Sequence, residues 1–327
     1  MELRVPQFLS PSALAKFESD RPTFYERYIS PVKRTKPPQE ACMAMGSAFD
    51  ARVKSSIHEA VFGEAETKGT EYEFGSIFEK QVEPHIRDTV LDRSKDLFDQ
   101  YVECGAYGEL LGDIVRSPFA PEMEFEVKGT IQGVPLLGKP DLKYITEHHL
   151  HIISDWKVNG SMSATGASPV QGYKRCLDYG SKTNGKPHKK YRPIMLKEVE
   201  INEAYLEEFD PDWADQLAIY AWLLGEPVGS EDFVIRMEQV ACRPVKSRAL
   251  PRAKFATHMA RISKAHQEKL LARVKMCWET VVSGHIFTEL NRSDSDATCV
   301  MLDGKVSAPT GLNPVLDRYR TTSVRFK

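Results

Sequence analysis

The sequence has no apolar run approaching the roughly 18–20 residues that a membrane-spanning helix needs. Its opening, MELRVPQFLS, has no apolar stretch of the kind that forms a secretion signal. Its six cysteines (42, 104, 176, 242, 277 and 299) form no Cys-x-x-Cys pair, which argues against a disulfide framework and a cysteine-rich zinc site. There is also no excess of charge of one sign: 44 Lys and Arg against 46 Asp and Glu leave a net charge of −2. Any site for a polyanion must then come from local clustering rather than a global field. With 327 residues, 41% hydrophobic and 28% charged, the composition is that of a globular protein of one large or two closely joined domains. The expectation is a soluble, cytoplasmic protein with no membrane partner.

Charge is nonetheless blocked along the chain. Residues 200–215 carry seven acids and no Lys or Arg, whereas 173–192 carry seven Lys or Arg against Asp178 alone, and 243–275 carry ten against Glu268 alone. The first 115 residues read as helical, starting at Ser10-Pro11-Ser12, with stretches near 23–29, 42–62, 76–103 and 107–115. The period then changes to alternation, which predicts strands at about 122–131, 134–145 and 149–157. Residues 159–193 are rich in Gly, Ser, Pro and Lys and read as a long basic loop. Strands near 194–200 and 233–242, a helix at 212–225 and a long helix at about 255–283 complete the pattern. The expected fold class is α/β: a small mixed β-sheet flanked by helices, with an N-terminal helical region over 1–115 and a core over 116–327 that carries the basic insertion.

Two neighbouring strands end in polar groups, Gly138-Lys139-Pro140-Asp141 and Ile152-Ile153-Ser154-Asp155-Trp156-Lys157. Asp155 and Lys157 are two apart in a strand and project to the same face. Asp141 lies fourteen residues earlier across an expected hairpin, where it can stand beside Asp155. Two close carboxylates repel unless a cation lies between them. Oxygen ligands of this kind suit a hard ion, Mg2+ or Mn2+, and Lys157 beside it could place a water and offset charge on a phosphate.

Pro-Asp followed after ten to twenty residues by (Asp/Glu)-x-Lys resembles the signature of the PD-(D/E)XK nuclease superfamily. Gln216-Leu-Ala-Ile-Tyr220 is similar to the Gln-x-x-x-Tyr motif of its RecB-type branch, and the two side chains share one helix face. Gly46-Ser-Ala-Phe-Asp50 resembles that branch's Gly-x-x-x-His motif, with Asp for His, and Asp50 shares an inward helix face with Val53, Ile57 and Val61. Ser10-Pro11-Ser12-Ala13-Leu14 and Arg21-Pro22-x-Phe24-Tyr25 resemble the opening segment of RecB-type and phage nucleases.

The resemblance implies a restriction-endonuclease-like core and a metal-dependent DNA nuclease leaving 5′-phosphate ends, an exonuclease by its branch, while the sequence leaves exonuclease against endonuclease open. Asp141 and Asp155 would be metal ligands with Asp50 as a further one, and Lys157, Gln216 and Tyr220 would serve the reaction. It also implies an additional acid, Glu124 or Glu126, and suggests a recombination or phage-like setting. Some relatives hold an iron–sulfur cluster through a cysteine before that Pro and three more near the C-terminus. Here Arg21 precedes Pro22 and only Cys299 lies in the last forty residues, so no iron–sulfur cluster is expected.

DNA is the expected partner. In the basic insertion, cations at Lys174, Arg175, Lys186, Lys189, Lys190 and Arg192 are interleaved with Tyr173, Tyr179 and Tyr191, so that charges could track phosphates while rings stack on bases; Arg248 belongs to the later basic block. The competing readings are a DNA-binding partner in a recombination or replication complex that has lost catalysis, and an unrelated Mg2+ phosphohydrolase acting on nucleotides. Gly180-Ser-Lys-Thr-Asn-Gly-Lys-Pro187 nearly spells a phosphate-binding loop, but Pro187 stands where a hydroxyl is required. His148, His149 and His151 fall at an expected hairpin turn and read as solvent-facing rather than as ligands.

Overall fold

Ser10 caps the first helix by accepting a hydrogen bond from the Ala13 N–H at 3.2 Å, and Pro11 fills the position where no N–H is needed. The computed structural model that shows this describes residues 5–30, 36–123, 125–159, 175–179, 191–193, 205–208, 210–242 and 253–284. Within them the chain forms α1 (Pro11–Ser19), α2 (Arg21–Phe24) widening into a π turn over Tyr25–Ile29, α3 (Ala41–Phe62), α4 (Glu64–Thr67), α5 (Phe74–Gln81), α6 (Arg87–Glu103) and α7 (Ala106–Val115). Then come β1 (Glu122–Met123), β2 (Val127–Ile131), β3 (Val134–Gly138), β4 (Leu142–Ile145), β5 (His151–Asn159), β6 (Arg175–Tyr179) and β7 (Tyr191–Pro193), followed by α8 (Pro211–Leu223), β8 (Phe233–Cys242), β9 (Ala253–Ala260) and α9 (Lys264–Ser283). No helix among the described residues is long and apolar enough to cross a membrane.

The main sheet is mixed and runs β1-β4-β5-β8-β9-β6-β7, with β5 and β8 parallel and every other neighbouring pair antiparallel. A parallel pair cannot be closed by a tight turn, and α8 lies on the connection between β5 and β8. The strands β2 and β3 form a separate hairpin turned at Gln132-Gly133, both at positive φ, as a two-residue turn of the right twist requires.

Because successive strand residues face opposite sides, β5 serves two cores. Ile152 and Trp156 pack with Phe49, Tyr101, Leu110 and Phe255 under α3, α6 and α7. Ile153 packs with Leu14, Phe17, Leu217 and Met237 under α1, α8 and α9. In the first layer the Tyr101 ring meets Phe49 and Phe255, each at 5.5 Å between centroids. Full burial of side chains of this size stabilises by about 1.5–3 kcal/mol apiece.

The α/β class, the mixed sheet flanked by helices and the N-terminal helical region are as expected; several boundaries are not. Residues 76–103 are two helices separated by a short 3-10 turn at Pro84–Ile86, because Pro84 has no N–H to continue the ladder. The stretch 122–131 divides between two sheets, and 134–145 breaks at Lys139-Pro140-Asp141. The expected helix from 255 is a strand until Ala260 and becomes helical at Lys264, with Ser263 as its cap. Part of the expected loop 159–193 is strand, since β6 pairs with β9 and β7 with β6. The expected strand near 194–200 lies outside the described residues.

Candidate functional site

The break at Pro140-Asp141 stops β3 and starts β4, and it delivers Asp141 one step before the pair Leu142 and Ser154. Asp155, one step after Ser154, is therefore its cross-strand neighbour. The two carboxyl groups are within hydrogen-bonding reach of each other. Asp141 also accepts the Trp156 N–H through Oδ2 at 3.3 Å. Asp155 is almost fully buried.

Lys157 projects to the same face, and its Nζ lies 2.5 Å from Asp155 Oδ2. It donates in addition to Gln216 Oε1 at 2.9 Å, and Gln216 Nε2 donates to the Tyr220 hydroxyl at 2.9 Å. An ammonium only donates, so the amide oxygen must face Lys157 and the amide nitrogen must face Tyr220. The tyrosine proton is thereby left for a further acceptor. Asp210 caps α8 by accepting from the Asp212 and Trp213 N–H groups, which fixes the start of the helix that carries Gln216 and Tyr220 one turn apart.

The opposite face of the sheet contributes α3. Its Asp50 Oδ2 accepts from Lys54 Nζ at 2.7 Å and from Gln81 Nε2 at 2.9 Å, and Lys54 Nζ donates onward to Asp141 Oδ1 at 3.2 Å. Lys54 is 2% exposed. Asp50 Oδ1 is buried with no hydrogen-bond partner among the described residues. Asp141 thus stands between Asp155 and the Lys54–Asp50 pair, with a helix from each layer closing on it.

Electrostatics follow from this crowding. Burial, reinforced by the Asp141 charge, pushes Asp155 up to about 7 despite Lys157. Burial likewise pushes Asp50 up to about 6 against the pull of Lys54. For Asp141 burial works in the same direction but is outweighed by Lys54, Lys157 and the hydrogen bonds from Asp155 and Trp156, so it lies below the usual carboxylate range. Burial lowers Lys157, but its pairing with Asp155 and the charge of Asp141 more than compensate and raise it.

Two pockets open on either side. One, of about 430 Å³, is lined by Ser10, Ser12, Lys139, Lys157, Gln216 and Tyr220. The other, of about 240 Å³, is lined by Gly46, Asp50, Lys54, Gln81, Asp141 and Trp156. A Cβ added at Gly46 would meet Val158 Cβ at an ordinary 3.7 Å, so packing does not demand glycine there. Gly138 differs: a Cβ would fall 2.6 Å from Tyr220 Cδ1, so only glycine lets the ring lie against β3.

Among the described residues, no group of three or more His, Cys, Asp or Glu side chains gathers as a metal site. The pair Asp141 and Asp155 is still chemically suited to a hard ion. Mg2+ is usually held by one or two carboxylates and completes its shell with water.

Of the residues singled out from sequence, Asp50, Asp141, Asp155, Lys157, Gln216 and Tyr220 come together. Glu126 does not: it precedes β2 in the separate hairpin, is exposed, and pairs with Lys128 and Lys139. Glu124, Lys174, Lys186, Lys189, Lys190 and Arg248 lie outside the described residues. Arg175 and Arg192 fall on β6 and β7, with three strand steps separating β6 from β5. His149 sits in the β4–β5 turn at positive φ, and His151 Nδ1 pairs with Glu226 at 2.6 Å. Lys54 and Gln81 were not singled out from sequence, and Gly138 stood there only as part of a strand end, without its role against Tyr220. Only Lys54 had a signal there, a lysine one helical turn after an inward aspartate.

No family model matches the chain. No curated protein matches it either. Among solved structures, a protein named "Putative exonuclease" from Eubacterium rectale aligns over 84% of this chain and 80% of its own, at 11% identity and a TM-score of 0.41. The protein SSO0001 aligns over 86% and 95%, at 12% identity and a TM-score of 0.24.

Proposed function

We propose that this chain is a metal-dependent deoxyribonuclease, an exonuclease that hydrolyses phosphodiester bonds and leaves 5′-phosphate ends. The observation that carries the reading is the unbroken string Asp141–Asp155–Lys157–Gln216–Tyr220 at one sheet end, opening on a pocket. Its order along the sequence is that of the RecB-type motifs it resembles.

Asp141 and Asp155 would hold Mg2+ or Mn2+, which when bound supplies Lewis-acid charge and a more acidic water. Lys157, aimed by Asp155 and Gln216, places its ammonium where negative charge grows on the phosphate and orients the attacking water. A charge fixed before reaction costs no reorganisation during it. Gln216 holds Lys157 and Tyr220 in register, and the remaining proton of Tyr220 is offered to the strand. Arg175 and Arg192, with the cations of the basic insertion, would track the DNA backbone away from the acids.

The test is product sizing on end-labelled single- and double-stranded oligonucleotides with Mg2+, Mn2+ or chelator. Stepwise shortening that requires the ion is expected. Binding without cutting under every condition would overturn the reading in favour of a DNA-binding partner. Turnover of free nucleotides alone would overturn it in favour of a phosphohydrolase.

A further inference from the structure

Lys54 is a buried cation with no part in the string just described. A lysine is rarely buried unless paired, and this one is paired twice, to Asp50 at 2.7 Å and to Asp141 at 3.2 Å. In two-metal phosphodiesterases the ions sit about 3.5–4 Å apart and share a carboxylate between them. Asp141 is placed to be such a shared carboxylate, with Asp155 on one side and Asp50 on the other. The position between Asp141 and Asp50 is filled by the Lys54 ammonium, which comes from the same helix as Asp50, one turn on.

We propose that Lys54 takes the place of a second metal ion, so that the site binds one divalent cation per chain. This rests on the metal-dependent reading above. Three carboxylates face two ammonium groups here, leaving about one negative charge for one divalent ion to offset. A second divalent ion would overcharge the site and would have to expel a side chain that is 2% exposed from a packed wall. Asp50 is therefore the anchor of Lys54 and not a ligand. Removing the lysine releases Asp50 Oδ2, next to an Oδ1 that is already buried without a hydrogen-bond partner among the described residues, beside the 240 Å³ pocket. A methionine at 54 keeps much of the length and removes the charge, turning the Asp50–Asp141 space into a vacant carboxylate site.

Calorimetric titration of the full chain with Mn2+, without nucleic acid, tests this. One ion is expected for the wild type, two for Lys54→Met, and two for Lys54→Gln, which also removes the charge but keeps a polar side chain. Two ions in the wild type overturn the role of Lys54 and leave the metal-dependent reading standing. No ion in the wild type overturns that reading itself and the inference with it. One ion in a folded Lys54→Met overturns the inference alone. Circular dichroism establishes whether that variant folds; where it does not, Lys54→Gln decides, and one ion in that folded variant overturns the proposal.

Discussion

Lys157 is held by two partners of different kind, the Asp155 carboxylate at 2.5 Å and the Gln216 amide oxygen at 2.9 Å, so its position is fixed in both direction and distance. Losing it removes a preplaced charge from the reacting phosphate, an effect worth about 100-fold or more in rate. Lys157→Ala should therefore cut at least about 100 times more slowly while its affinity for DNA stays near wild type, measured by single-turnover cleavage and by gel shift. Cutting at the wild-type rate would remove Lys157 from the mechanism.

Asp155 permits a second prediction, on stability. Its folded value of about 7 lies above the ordinary unfolded value of about 3.9, so between the two the folded chain holds a proton that the unfolded chain has released. A raised carboxyl gives its full contribution below the unfolded value and loses it as pH rises through the folded one. The metal-free protein should lose stability from this group between about pH 4 and 7, and Asp155→Asn should lose less over the same range. Urea unfolding of both proteins at pH 5 and pH 7.5 checks this, and equal pH dependence would refute it. The Asp155–Lys157 pair was legible because strand parity needs only two residues and a period. Lys54 was not assigned, because a lysine four residues after an aspartate is usually an exposed helix pair, and nothing local says that the sheet will bury it against Asp141.

The tightest requirement among the elements is the approach of α8 to the hairpin. Tyr220 lies so close to Gly138 that a methyl group there would sit 2.6 Å from its ring. Overpacking of this kind costs about 1–3 kcal/mol, and the movement would break the hydrogen bond that Tyr220 accepts from Gln216. Gly138→Ala should lower thermal stability by that order and slow cleavage. In a Tyr220→Ala background, which itself loses the stability of a buried ring, Gly138→Ala should cost less than in the wild type, and a Gly138→Ala protein as stable as wild type would show that β3 and α8 are not in this register. Helix α8 itself was readable, with Asp210-Pro211 as start signal and a periodic apolar face. The strand β9 was not: AKFATHMA runs into the next helix with no Gly or Pro between them, and only the cap Ser263 marks the boundary. Glu126 misled for a related reason. Alternation gives the side a residue faces but not the sheet it joins, and β2 belongs to the hairpin rather than to the sheet that holds Asp141 and Asp155.

Across the whole molecule, both layers meet at the site. The acids come from β4 and β5, Lys54 from one layer and Gln216 from the other, so the site exists only when both are packed. The run of N-terminal helices followed by strands was visible in the sequence, but β6, β7 and β9 were not. The parallel pairing of β5 with β8 was not, since it joins segments more than seventy residues apart and leaves no local trace. An ion that binds this assembled site and not the unfolded chain must stabilise the whole fold by mass action. At one hundred times its dissociation constant the gain is about 2.7 kcal/mol, whatever the contacts in detail. Denaturant unfolding of the wild type should shift by that amount on adding Mn2+ at that multiple, and an Asp141→Asn/Asp155→Asn protein, folded but with both carboxylates neutralised, should not shift at all. Equal Mn2+ stabilisation of the two proteins would place the ion elsewhere in the molecule and would remove the two acids from the role assigned to them.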